Sequence, residues 1–134
     1  MKGLKGLLES RPNLKVFIYA GKGGLGKTTL SAATSVKLSS MGRKTLVFST
    51  DPQASLSDVF EQNVFGKGEV MLTQGLYVME IDADKKINEY VASIKRKISE
   101  MYRLDRLPPD VEEYIDSAAA EPAMYESAVY DAMI

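Results

Sequence analysis

Apolar residues in this chain gather in short blocks separated by polar stretches, and the blocks follow two rhythms. Leu14 to Ala20 (LKVFIYA) is a short apolar, β-branched and aromatic run, Arg43 to Thr50 (RKTLVFST) repeats the type, and Leu76 to Asp82 (LYVMEID) gives a third. Short runs of this kind predict buried strands of a parallel sheet, covered on both faces and so free of strict alternation. Between the first two, KTTLSAATSVKLSSMG brings Leu30, Ala33, Val36 or Lys37, and Leu38 or Met41 round at helical spacing, with Gly42 ending the helix. Pro52 closes the second strand, and the stretch around GKGEVMLTQG reads as a polar, glycine-containing connection. Past the third strand a charged helix is expected from about Lys85 to Arg106, capped by Asp82 or Asp84. It carries Ile87, Val91, Ile94, Ile98 and Met101 on one face and the solvated Lys95-Arg96-Lys97 on the other, and Leu107 to Asp110 (LPPD) stops it. A shorter helix follows from Val111, and Glu121-Pro122 opens a last one carrying Met124, Ala128 and Met133. The expected fold is α/β, a parallel sheet with flanking helices: one module over 1–134, with an α/β part over 1–84 and a helical part over 85–134.

The chemistry lies between the first strand and the first helix, where GKGGLGKTT runs from Gly21 to Thr29. Gly21, Gly26, Lys27 and Thr28 meet the G-x-x-x-x-G-K-[ST] spacing of a phosphate-binding loop. A backbone that wraps a polyphosphate must bring several N–H groups to the anion, and side chains at Gly21, Gly23, Gly24 and Gly26 would obstruct that approach or forbid positive φ. The whole stretch Gly21, Lys22, Gly23, Gly24, Leu25, Gly26, Lys27, Thr28 and Thr29 is therefore the expected binding loop. Lys27 offers a point charge to the β- and γ-phosphates, Thr28 a hydroxyl ligand for Mg²⁺, and Thr29 stands within reach of the α-phosphate. The following helix points its positive end at the nucleotide.

Asp51 stands just past the second strand, at the edge of an open parallel sheet where ligands bind. Spacing alone leaves two readings of it. It orders the attacking water or a Mg²⁺-bound water near the γ-phosphate, or it caps the turn before SLSDVF. Asp82, at the end of the third strand, is read as a helix cap and not as a Mg²⁺-ordering carboxylate.

Composition narrows the remaining choices. A length of 134 residues fits one domain, and 17 basic against 18 acidic residues give no basic surface for nucleic acid. The chain has no cysteine and no histidine, which removes disulfides, thiolate metal sites, cysteine nucleophiles and histidine bases. The apolar patch of MKGLKGLLESRPN is too short for a signal-peptide core, and no apolar run of about 18 residues occurs. A soluble, cytoplasmic protein is expected.

Lys22, ahead of the glycine pair, makes the loop a deviant Walker A sequence. With it, AGKGGLGKTTLSAATSVKLSSMGRKTLVFSTDPQASLSDVF and LYVMEIDADKKINEY resemble the ArsA-like ATPases, which comprise arsenite-pump-driving ATPases and the factor that targets tail-anchored membrane proteins. The resemblance implies a P-loop NTPase fold, ATP and Mg²⁺ as cofactors, and ATPase activity coupled to dimer closure. It also implies that Lys22 reaches the nucleotide of the other subunit, and that Asp51 is the switch I aspartate that activates the hydrolytic water. Catalysis would thus rest on Asp51, Lys22 and Lys27. The implied partners are a second copy or a chain supplying the C-terminal half, and a membrane pump or membrane-protein client. Any membrane association would be peripheral.

Two departures accompany the resemblance. Gln53 and Ala54 stand where the family pattern has alanine and histidine, and Gln53 leans toward the related ParA and MinD ATPases of partition and positioning. Family members are also about twice this length, and the part beyond Ile134 would hold the switch II aspartate, so the isolated chain is expected to turn over weakly or act as a binding remnant.

Overall fold

Val47 and Val78, both buried, meet across a parallel strand pair, and the first part of the chain is organised around them. The computed structural model describes residues 3–51 and 55–131. Pro52, expected to end the second strand, the departures at Gln53 and Ala54, and Met133 of the last helix lie outside the described residues. The chain divides into two compact units, Met1–Glu80 and Ile81–Ile134.

In the first unit, β1 (Thr45–Ser49) pairs in parallel with β3 (Leu76–Glu80) in the register Thr45↔Leu76 to Ser49↔Glu80. The outer strand is β2 (Val70–Thr73), antiparallel to β3, so the sheet order is β1-β3-β2 and the expected all-parallel sheet is mixed. The sequence reading missed β2. Its alternation is only four residues long, with Val70 and Leu72 turned to the core and Met71 left 60% exposed. Gly75, at φ 82, makes the tight turn into β3 that a side chain would strain.

Helix α1 (Leu4–Ser10), which the sequence reading did not foresee, buries Leu8, and α2 (Lys27–Ser40) packs against β1. The buried face of α2 is Ala32, Ser35 and Leu38, not the stripe of Leu30, Ala33 and Val36. The small Ala32 and Ser35 allow close approach to the sheet, and the Ser35 hydroxyl is satisfied by donating to the Ala32 carbonyl at 2.7 Å. Gly42, at φ 80, ends the helix as expected, with its N–H on the Ser39 carbonyl and Arg43 N–H on the Leu38 carbonyl. Helix α3 (Leu56–Val59) completes the core of Ala32, Val47, Leu56, Val64 and Val78.

The expected first strand, Leu14 to Ala20, is not a strand: it belongs to no ladder, and Val16 and Ile18 are 67% and 83% exposed. Only Leu14, Phe17 and Tyr19 are half-buried, and the Tyr19 hydroxyl meets the Thr34 hydroxyl at 2.5 Å. β-propensity describes what fits a pleated surface, but a ladder also needs a neighbouring strand edge, and none pairs with this run among the described residues.

In the second unit, Asp82 caps α4 (Ala83–Tyr102) as expected, its carboxylate accepting from Lys85 N–H at 3.0 Å. The helix ends before LPPD because Arg103 turns left-handed (φ 53) and Leu104 N–H returns to the Ser99 carbonyl. Met101, inside the last turn of α4, is 68% exposed and lies outside this unit's core. Helices α5 (Pro109–Ala119) and α6 (Pro122–Asp131) each begin with proline, α5 two residues ahead of the expected Val111. Val91, Leu107 and Ile115 form this unit's core with Ile87, Ile94 and Ile98 packed round it. Lys95 is not simply solvated, since it pairs with Asp116 of α5 at 2.7 Å. Among the described residues, no helix is long and apolar enough to cross a membrane.

Candidate phosphate-binding loop

The loop takes its shape from glycine where side chains would resist. Gly24 and Gly26 adopt φ 78 and 79, and Gly26 serves as the N-cap of α2 without a capping side chain. L-residues rarely accept that conformation. A Cβ added at Gly23, Gly24 or Gly26 would meet nothing within 4 Å, so the loop borders open space. At Gly21 a Cβ would come 3.3 Å from the Leu25 side chain, which is otherwise 67% exposed. The first helical bond runs from Leu30 N–H to the Gly26 carbonyl, and the N–H groups opening α2 have no earlier turn to bond to. The geometry suits an anion lying against the loop and the helix start.

Lys27 turns back over this loop. Its Nζ donates to the Lys22 carbonyl at 3.1 Å and lies 3.9 Å from Asp51 Oδ2. Asp51 follows β1, so the parallel strand and the loop bring together a cation and a carboxylate that are far apart in sequence. At 3.9 Å, with both side chains partly exposed (22% and 39%), this pair is worth only about 0–1 kcal/mol. It marks where the two sides of the site face each other and is not a stabilising clamp.

Asp51 does not cap α3. Ser55 holds that position, its Oγ accepting from Asp58 N–H at 3.1 Å, while Asp51 N–H donates to Ser49 Oγ at 3.3 Å. Thr28 is half-buried at the start of α2, with its carbonyl accepting from Ser31 Oγ at 2.9 Å, and Thr29 is exposed. Lys22 is exposed, its backbone carbonyl engaged by Lys27. The structure thus brings the Lys27 and Asp51 side chains together at the loop, whereas Lys22 takes part only through its backbone carbonyl.

Sequence reasoning passed over Glu80. It is buried (7% exposed) at the end of β3 and accepts from both the N–H and the hydroxyl of Ser57. A carboxylate at the third inward position of an otherwise apolar strand, after Leu76 and Val78, was the available signal.

Residues 14–134 match the model of a family described as anion-transporting ATPase. The chain is similar to a putative arsenical pump-driving ATPase of Aquifex aeolicus, 38% identical over 120 residues that make up 90% of this chain and 39% of the relative. It is similar to the arsenical pump-driving ATPase of Escherichia coli, 34% identical over 125 residues, 92% of this chain and 20% of the relative. An ATPase ASNA1 homolog of Paramecium tetraurelia is 44% identical over 82 residues, 59% of this chain and 24% of the relative. The chain therefore spans 39% or less of the length of each of these relatives.

Proposed function

This chain belongs to the anion-transporting ATPase family, and from that premise we propose that it is the Mg²⁺-ATP-binding module of an ATPase that couples ATP binding and hydrolysis to closure of a dimer. The observation that carries the reading is the position of Lys27 Nζ, 3.1 Å from the carbonyl of Lys22 and 3.9 Å from the carboxylate of Asp51. One ammonium is tied to the loop on one side and faces a carboxylate on the other.

In this reading the backbone from Gly21 to Thr29 cradles the phosphates, Lys27 holds the charge of the β- and γ-phosphoryl oxygens, and Thr29 serves the α-phosphate. Thr28 would contribute its hydroxyl to Mg²⁺, which when bound neutralises charge on those oxygens. Magnesium is commonly held by one or two protein groups together with substrate phosphates. Thr28, half-buried in the first turn of α2 beside the open loop, is placed to be such a group. Asp51 orients the attacking water and accepts its proton. The exposed Lys22 reaches a second subunit's nucleotide, where an added cation stabilises transition-state charge as an arginine finger does.

The work coupled to hydrolysis is anion export through a membrane pump or delivery of a membrane-protein client, performed from the cytoplasm. With no cysteine in the chain, these residues offer no thiolate to a metalloid. The test is Mg²⁺-dependent ATP hydrolysis by the intact protein. Thr28→Ala should remove the ordinary dependence on Mg²⁺; an unchanged Mg²⁺ titration would take Thr28 out of the site, and a wild-type protein that neither binds nor hydrolyses ATP would end the reading.

A further inference from the structure

Strand pairing places Ser49 of β1 opposite Glu80 of β3, and among the described residues Asp51 on one side and Ser57 on the other are each hydrogen-bonded to this one rung. At the near end, Asp51 N–H donates to Ser49 Oγ at 3.3 Å. At the far end, Ser57 in the first turn of α3 donates its N–H at 3.1 Å and its hydroxyl at 2.5 Å to Glu80 Oε2. The Ser57 oxygen also accepts from Val64 N–H at 3.1 Å, and the Glu80 carbonyl accepts from Gly66 N–H at 2.9 Å. Glu80 thereby ties three pieces of chain together: β3, the start of α3 and the stretch from Val64 to Gly66.

A buried carboxylate costs free energy unless hydrogen bonds compensate it, and an apolar side chain would fill the position next to Leu76 and Val78 with no such requirement. What Glu80 adds over an apolar residue is direction, because charge-assisted bonds to a backbone N–H and a hydroxyl fix the first turn of α3 against the sheet.

We propose that Glu80 is a positioning residue for Asp51, its buried carboxylate holding α3 through Ser57 against the same Ser49–Glu80 rung from which the Ser49 hydroxyl engages Asp51 N–H. The proposal rests on the reading of Asp51 as the water-orienting group. A water-orienting carboxylate is sensitive to displacements of about 1 Å, whereas the phosphates lie against the loop and the start of α2, which packs on β1 as well as on α3. Loss of the Glu80 anchor should therefore lower turnover and spare affinity.

The experiment compares Ser57→Ala, Glu80→Gln, Glu80→Ala and Asp51→Asn in the intact protein, reading ATP affinity, kcat and backbone hydrogen exchange. Ser57→Ala removes the hydroxyl bond to Glu80 with little change in volume. It should lower kcat about tenfold or more, keep the ATP Kd within about threefold, and speed exchange across residues 55–60 and at Val64 about tenfold, with α2 unchanged. Glu80→Gln retains an oxygen that can accept from both Ser57 donors and should keep kcat within about threefold of wild type, while Glu80→Ala should match Ser57→Ala. Wild-type kcat in Ser57→Ala overturns the proposal, as does faster exchange spread evenly over the whole first unit, which would mean general destabilisation. Asp51→Asn separates the two layers of the reading. Full turnover in that variant removes Asp51 from the chemistry, whereas a dead Asp51→Asn beside a fully active Ser57→Ala removes only the Glu80 anchor.

Discussion

The loop before α2 and the segment after β1 face each other at Lys27 Nζ and Asp51 Oδ2, 3.9 Å apart, yet they are held in different ways. The loop is defined by backbone conformation: Gly24 and Gly26 at positive φ, Gly26 as cap, and the opening N–H groups of α2. On the Asp51 side, side chains take part in the bonds: the Ser49 hydroxyl accepts from Asp51 N–H, and the Glu80 carboxylate accepts from Ser57. Backbone donors suit an anion that stays bound throughout a reaction, because they hold it alike in ground and transition states. A single carboxylate placed by its neighbours suits a group whose work is confined to the transition state. Variants on the two sides should accordingly separate affinity from turnover.

The largest effect should come from Lys22, which belongs to the loop in sequence but acts on turnover in a second subunit. Lys22→Ala should cost on the order of 10³-fold or more in kcat, as for other fingers of this kind. Mixing Lys22→Ala chains with Lys27→Ala chains should restore one working site per mixed dimer, since the Lys22→Ala chain still binds ATP and receives Lys22 from its partner. Mixed dimers that form and stay dead would confine Lys22 to its own loop. Next comes Asp51→Asn, expected to lower kcat by about 10²–10⁴-fold with ATP affinity within a few-fold. Equal losses in kcat and affinity would erase the distinction between the two sides.

Smaller effects separate the core beneath the site from the extended run ahead of the loop. Leu56, fully buried under the Asp51 side, should cost about 2–5 kcal/mol of stability as Leu56→Ala in chemical denaturation. Ile18→Ala, at a residue 83% exposed, should change stability by no more than about 0.5 kcal/mol. A cost for Ile18→Ala comparable to that of Leu56→Ala would show Ile18 buried in solution, with the run from Leu14 to Ala20 paired as a strand.

That contrast also explains what the sequence made legible. The loop could be read because its chemistry is local: glycines, Lys27 and Thr28 stand at fixed offsets, and α2 ends at Gly42 as its pattern says. β1 and β3 were legible for the same reason, since runs centred on Val47 and Val78 bury wherever a parallel neighbour exists. LKVFIYA is a run of the same apolar type but lacks a pairing edge among the described residues, and no local pattern reports whether an edge is there. Met101 was misjudged because helical spacing puts it in line with Ile98 but does not report that the core round Val91, Leu107 and Ile115 stops short of it. Glu80 was overlooked because its role depends on Ser57, which reaches it only through the fold.

The most direct test of the account is a calorimetric titration of ATP with Mg²⁺ into the wild-type protein and into Lys27→Ala. The Lys27 ammonium is the charge on which the phosphate-binding assignment stands, and its removal leaves the fold's core residues untouched. Saturable binding by the wild type and no measurable binding by Lys27→Ala is the predicted result; equal affinity in the two proteins would contradict the assignment of Gly21 to Thr29 as the nucleotide site.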